Sequence, residues 1–210
     1  MGPGPDDRPL YIAGAGGVGR ETYDAALAAG IPVAAFLDDG KAGCKTRGLP
    51  TLAPAEAEPG GWFVIGIASP AVRRRLADLL AGRGLTPVTV LHPRAVIGPE
   101  TVLAEGCIAL ANAHVSSSIR LGRHSQVHYN ATVGHDAVLG DRVTVYPGAN
   151  VSGSVLLEDD VTVGSNAVVL QGLTVGRGAF VGAGAVVTKD VAAGQTVVGA
   201  PARPLPPKAR

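Results

Sequence analysis

Cysteine, methionine and tryptophan are scarce in this chain of 210 residues, with two Cys, one Met and one Trp. Two cysteines, Cys44 and Cys107, cannot build the disulfide framework of a small secreted scaffold. No apolar run approaches the roughly 20 residues that span a bilayer, so no membrane partner is expected. Charged residues make up only 17% and the net charge is +1. That balance excludes the basic footprint of a nucleic-acid binder. The longest basic run, Arg73-Arg74-Arg75, reads as the solvated face of a helix. The 30 glycines do not recur at every third place, which excludes collagen. Met1 to Asp7 carries neither a basic start nor an apolar segment. It reads as a disordered tail and not a signal peptide, and a cytoplasmic protein is expected.

What the chain does have is a period. Every sixth residue from Ile97 to Val187 is Ile, Leu or Val, with Ala109 the exception, and no insertion breaks the phase. Four places after each comes a smaller set, including Thr101, Cys107, Ala113, Ser125, Ala131 and Ala137. Gly, Asp, Asn, Ser and Arg fill the gaps and favour turns. A six-residue period does not fit a helix. It is the signature of a parallel β-helix, in which three hexads make one triangular coil of about 18 residues.

The first part of the chain follows another pattern. Pro9 to Ala13 reads as a strand running into Gly14-Ala15-Gly16-Gly17-Val18-Gly19, then a helix from Arg20 to Ala29. Val33 to Leu37 is a second strand ending in Asp38-Asp39. Trp62 to Ile67 is a third, Ala71 to Ala81 a second helix, and Thr86 to Leu91 a fourth strand. This alternation implies a small parallel sheet. The predicted organisation is a nucleotide-sugar-binding βαβ domain over 8–92, a β-helix over 93–199 and a tail over 200–210.

The glycine run has the spacing G-x-G-x-x-G between a strand and a helix, with an acid at Asp38. Such glycines let backbone approach a pyrophosphate, and the helix N-terminus favours its charge. Gly14, Gly16, Gly17, Gly19, Asp38, Asp39 and Ser69 are therefore the candidate substrate-binding residues. The domain is half of a full dinucleotide fold and no hydride-transfer domain follows. A nucleotide-sugar fits the same physics better than NAD does.

The hexad phase sorts the histidines. Val133 and Ala137 take inward places, so His135 and Asp136 project from a coil corner. An outward imidazole beside a carboxylate is where a substrate amine could meet a general base, since an ordinary imidazole is mostly neutral at pH 7. His128 also points outward but lacks an adjacent acid. His114 and His124 read as surface residues, and His92 belongs to the interdomain turn. Cys107 falls on an inward place and Cys44 in a polar loop, Lys41 to Gly48; neither suits a covalent nucleophile.

Several stretches together resemble the bacterial nucleotide-sugar N-acetyltransferases of the left-handed β-helix class, the NeuD/PglD type. They are the glycine run through Arg20, Phe36-Leu37-Asp38-Asp39, Phe63 to Ala68, Leu91-His92-Pro93, Gly134 to Gly140, and Val198 to Arg203. The resemblance spans Leu10 to Leu205. It implies a homotrimer with acetyl-CoA between neighbouring prisms, no metal, and direct acetyl transfer to a sugar amine. It further implies His135 as base, Asp136 as its orienter and Gly153 N–H as oxyanion donor. Ala183, Gly184 and Pro201 would line the CoA cleft with Gly153. The chain departs from the pattern at Thr144, where some relatives carry a second histidine, and at Ala68, where glycine is usual.

Three other readings use the same residues. One is an O-acetyltransferase of a sialic-acid-like sugar. Another is a non-catalytic nucleotide-binding scaffold. The third is a γ-type carbonic anhydrase, because His92 and His128 lie two coils apart, although the apolar Val133 stands where a third zinc ligand would be needed.

Overall fold

The structure, a computed structural model, describes residues 8–206. The expected disordered tail and the last four residues lie outside them. The N-terminal domain is a six-stranded sheet with one helix on each side. Its elements are β1 (Leu10–Ala13), α1 (Gly17–Ala28), β2 (Ala35–Leu37), β3 (Lys45–Thr46), β4 (Leu49–Leu52), β5 (Trp62–Ile65), α2 (Pro70–Gly82) and β6 (Thr86–Pro87). The order is β3-β4-β2-β1-β5-β6, parallel except where β3 meets β4. The segment expected as a polar loop, Lys41 to Gly48, thus contributes an edge strand. The strands are buried on both faces, as Leu10, Ile12, Phe36 and Val64 pack toward α1, and Tyr11, Ala13, Phe63 and Ile65 toward α2. This two-sided burial is why they read as continuous apolar runs.

Beyond residue 90 the chain coils into a triangular prism of three parallel sheets. Face I stacks pairs such as Gln126–Val127 and Thr144–Val145, face II pairs such as Thr132–Val133 and Asn150–Val151, and face III pairs such as Val138–Leu139 and Leu156–Leu157. Strand residues pair with those 18 positions on, except in the last coil, where Phe180 pairs with Thr196. The hexad Ile/Leu/Val residues and the small set four places later fill the interior. At each corner, three places after the inward residue, the backbone takes a left-handed turn. Examples are Asn112 (φ 60°), Asp136 (φ 60°), Ser154 (φ 56°) and Asn166 (φ 56°). Asn and Asp tolerate that conformation better than most residues, so the turn chemistry of the gaps has its explanation.

Two boundaries differ from the sequence reading. Thr86 to Leu91 is not one strand: Val88 N–H donates to Phe63 O in the first sheet and Val90 N–H to Cys107 O in the prism. The backbone passes between sheets in two residues with its hydrogen bonds satisfied, so the prism starts at Val90. At the other end the tail does not extend away. Arg203–Pro204 folds back antiparallel on Thr196–Val198.

Candidate functional site

His135 and Asp136 stand on the edge between faces II and III. Asp136 Oδ2 lies 2.7 Å from His135 Nδ1, and both side chains are more than half exposed. With Nδ1–H donating to the carboxylate, Nε2 is left with a free lone pair. One coil on, a Cβ built on Gly153 would lie 2.6 Å from His135 Nε2. The imidazole therefore rests directly over Gly153, and only glycine leaves room for it. The backbone is tied locally, because Ser154 N–H donates to His135 O at 2.7 Å and Asp136 N–H to Ser117 O at 3.1 Å. At the equivalent corner place elsewhere, Arg123 N–H and Asp141 N–H are capped by the carboxylates of Asp141 and Asp159 one coil on. Gly153 has Gln171 in that place, and its N–H has no hydrogen-bond partner among the described residues. Cys107, by contrast, is buried, donates to Gly122 O, and has its thiol pushed up to about 12 by burial. It is inert.

The predicted glycines divide into two groups. Gly14, Gly19 and Gly66 interlock: a Cβ on Gly19 would lie 1.9 Å from Gly14 O, and one on Gly66 2.6 Å from Gly19 Cα. These close the contact between α1 and the sheet. Gly16 and Gly17 have nothing within 4 Å of an added Cβ and open the first turn of α1 to solvent-side ligands. Asp38 accepts from Ala15 N–H at 2.9 Å and Gly40 N–H at 3.0 Å, so it braces the glycine turn from beside it. Lys41 Nζ donates to Ala15 O at 2.9 Å. This puts a cation at the turn that the sequence reading missed; its signal was the Asp-Asp-Gly-Lys run closing β2. Asp39 is exposed at the start of the next short turn. Ser69 caps α2, accepting from Val72 N–H, at the mouth of a cleft of about 500 Å³ against Asp160, Thr162 and Phe180.

Three expectations about surface residues are overturned. His128 and His124 are buried, at 2% and 6% exposure, and Arg73 is wholly buried. The N-terminal domain sits on face I and covers its outward side chains, so Ile108, Gln126 and Thr144 are buried whereas His114, Arg120 and Val138 on the other faces are not. Gln126 Nε2 donates to Ile65 O and Ile67 O, and its Oε1 accepts a hydrogen bond from His128 Nε2–H at 3.3 Å. His124 stacks on Phe63. Arg73 donates to Ile67 O, Ala68 O, Arg142 O and Thr144 Oγ1. Thr144 thus binds the two domains together and faces no acetyl donor. His128 is held as a donor in a seam, which also removes it from any zinc site.

Burial, reinforced by Arg73, lowers both His124 and His128 to about 4. An unfolded imidazole titrates near 6.5. Between those values the unfolded chain takes up protons that the folded chain refuses. The seam's stability is therefore fully present above about pH 6.5 and falls as pH drops toward 4, by roughly 1.4 kcal/mol per pH unit for each histidine. Thermal melts across that range should show the decline, and His128→Gln should flatten part of it; a melting temperature constant from pH 6.5 to 4.5 would contradict it.

Ala183 and Gly184 are exposed on the edge between faces I and II, not on the edge that carries His135 and Gly153. Pro201 lies in the reversal before Arg203. Within one chain these predicted cofactor contacts are not brought to the base. The glycine turn is likewise apart from it, since the domain bearing it covers face I, and face I lies opposite the His135 edge.

Comparison with known proteins bears on both halves. Residues 9–80 match the PglD N-terminal domain model and residues 154–189 the bacterial transferase hexapeptide (six repeats) model. The chain is 36% identical to GDP-perosamine N-acetyltransferase of Escherichia coli O157:H7, over 72% of this chain and 73% of the relative. Among solved structures, the acetyltransferase domain of PglB from Neisseria gonorrhoeae in complex with acetyl coenzyme A is 32% identical. It superposes with a TM-score of 0.90 over 95% of this chain and 100% of that one. A histidine-to-asparagine mutant of perosamine N-acetyltransferase from Caulobacter crescentus, in complex with CoA and GDP-perosamine, is 26% identical with a TM-score of 0.91, covering 96% and 98%.

Proposed function

The chain belongs to the PglD-type, hexapeptide-repeat family of sugar N-acetyltransferases that use acetyl-CoA, and on that premise we propose that it acetylates the amine of a nucleotide-linked amino sugar by direct transfer. The observation that carries the reading is the His135–Asp136 pair seated over Gly153 on an open edge. The amine nitrogen attacks the thioester carbonyl carbon while His135 Nε2 takes an amine proton. Gly153 N–H donates to the oxygen as negative charge develops on it, the interaction an oxyanion site supplies. The carbon–sulfur bond then breaks, and the proton held on His135 passes to the departing CoA sulfur. Asp136 fixes the tautomer and stabilises the imidazolium.

The site works as an assembly of subunits. The base lies opposite the face carrying its own nucleotide domain, so the amino sugar held at one chain's Gly16-Gly17 turn is offered to a neighbour's His135. On this reading Ala183 and Gly184 line the CoA cleft from the chain that holds the sugar, across from the neighbour's His135. Val138 and Leu156, adjacent outward residues on face III, and Leu170 on the His135 edge leave apolar surface exposed. A second copy would cover such a patch, and a closed ring of three prisms satisfies all copies at once. We read the protein as a cytoplasmic homotrimer.

The test is mass spectrometry of a panel of UDP-, dTDP- and GDP-linked amino sugars incubated with the protein and acetyl-CoA. One acceptor should gain a single acetyl group. Gly16→Val should lose acceptor binding and retain the fold, because a Cβ there has no protein atom within 4 Å while the added side chain blocks approach of the pyrophosphate. Hydrolysis of acetyl-CoA without acetylation of any amino sugar, or an acetyl ester in place of an amide, would refute N-acetylation.

A further inference from the structure

Face I presents polar side chains to the N-terminal domain in two successive coils, and both find partners there. Gln126 donates to Ile65 O and Ile67 O, and Thr144 accepts from Arg73 and donates to Ala68 O. Thr162, paired with Thr144 one coil on, breaks the series. It is only 8% exposed, yet its hydroxyl has no hydrogen-bond partner among the described residues. A hydroxyl so enclosed is normally bonded. What it faces is the cleft of about 500 Å³ between α2 and the prism, walled by Pro70, Ala71, Ala179 and Phe180 and rimmed by Arg74 and Asp160.

This cleft is separate from the sites described above. Asp160 (φ 62°) and Gly178 (φ 66°) are corners of the edge between faces III and I, whereas His135 and the Ala183–Gly184 pair stand on the other two edges. On α2, Ala71 and Arg74 face the cleft, while Val72, Arg75 and Leu76 turn to the opposite side, toward Asp38. The first turn of the helix therefore stands between the cleft and the glycine turn. That turn leaves one donor over. Ser69 caps Val72 N–H and its carbonyl accepts from Arg73 N–H, Pro70 has no N–H, and Ala71 N–H has no partner among the described residues. It sits at the positive end of a helix of 13 residues, where an anion is favoured. Asp160, the carboxylate on the rim, already accepts from Arg74 and Arg142. The ring of Phe180, 43% exposed, supplies an aromatic wall.

We propose that the cleft binds a small aromatic anion, a ring carrying a carboxylate or a phosphate monoester. One oxygen of the anion takes Ala71 N–H, a second takes the Thr162 hydroxyl, and the ring lies against Phe180. A mostly apolar cavity of this size with a few convergent polar groups is what small-ligand sites share, and offset contact between rings suits Phe180. A neutral amide forfeits the charge at the helix end, and a bare anion forfeits the ring. Because α2 belongs to one domain and Thr162 to the other, an occupant bridges the seam and stabilises the folded chain. Such binding is independent of acetyl transfer.

Isothermal titration and thermal melts of the full chain with benzoate, phenyl phosphate, benzamide and inorganic phosphate test this. Benzoate or phenyl phosphate should bind with a Kd below about 1 mM and raise the melting temperature; whichever is tighter tells carboxylate from phosphate ester. Benzamide and inorganic phosphate should each bind at least about tenfold more weakly, the usual cost of losing a bond to a charged group or a buried apolar contact. Thr162→Val should weaken the aromatic anion by about tenfold or more, and Thr162→Ser, which keeps the hydroxyl, should retain it. Phe180→Ala should weaken benzoate and phenyl phosphate and leave inorganic phosphate unchanged. Acetyl transfer should persist in Thr162→Val, and Gly16→Val should leave anion binding intact. Binding lost in Gly16→Val and kept in Thr162→Val would move the anion to the glycine turn and overturn the assignment. Equal affinity for benzamide, or no binding of either aromatic anion up to about 10 mM, would overturn it as well.

Discussion

His135→Ala is expected to lower turnover by roughly 10²–10⁴-fold, the usual cost of losing a positioned general base, with little change in folding. The side chain is 55% exposed, its neighbours Val133 and Ala137 keep the interior filled, and its removal opens no core cavity. Such surface changes usually alter stability by less than about 0.5 kcal/mol. Gly153→Ala should approach the same defect from the other side, because its Cβ would intrude on the imidazole ring and displace Nε2. A site shared between subunits allows a sharper test. Alone, His135→Ala and Gly16→Val should both be inactive. Mixed at equal ratio into hybrid trimers, they should regain about a quarter of the wild-type rate, as each mixed ring contains one site with an intact base and an intact neighbouring nucleotide domain. A site built within one chain would give no recovery at all. A His135→Ala protein keeping more than about a tenth of wild-type turnover at neutral pH would move the base elsewhere.

The prism was legible because the sequence repeats one constraint many times. Each hexad must supply one branched residue inward, one small residue and one left-handed corner, so position in the repeat predicts side-chain direction. That direction puts His135 and Asp136 at an exposed corner, where the structure has them, with Gly153 against the imidazole. It failed for His124 and His128 for a single reason, and Arg73, which the basic run assigns to the solvated face of a helix, is buried by the same contact. Outward from the prism is not outward from the protein when another domain sits on the face. The period carries no information about which face is covered. The only local hint was Gln126, a polar residue on the same face as Ile108, which finds its partners at Ile65 O and Ile67 O across the seam. The strand from Thr86 to Leu91 was misread for a related reason: apolar content is the same whether a chain stays in one sheet or passes to the next.

Arg73→Met is expected to destabilise the protein by roughly 3 kcal/mol or more, while Arg74→Ala stays near neutral, though the two residues are adjacent. Burial lowers the Arg73 guanidinium from its ordinary 12.5 to about 10, a penalty of roughly 3 kcal/mol on the charged form, yet the group stays protonated at neutral pH. Against that cost stand hydrogen bonds from a charged donor to four oxygens, two on each domain, each worth roughly 1.5–3 kcal/mol. The bonds win. Methionine would fill much of the volume but would leave Arg142 O short of a donor in a dry seam. Arg74 instead pairs with Asp160 from an exposed position, where ion pairs contribute about 0–1 kcal/mol. For a chain of this length, the Arg73→Met loss corresponds to a fall in melting temperature of roughly 6–12 °C. Because the seam sets how the glycine turn is held against the prism, the nucleotide-sugar KM should rise in Arg73→Met before acetyl-CoA binding changes. Differential scanning calorimetry of both variants checks the first claim, and steady-state kinetics below the melting transition check the second. If Arg73→Met melted within about 2 °C of wild type, less than 1 kcal/mol on this scale, the buried cation would not be what joins the two domains.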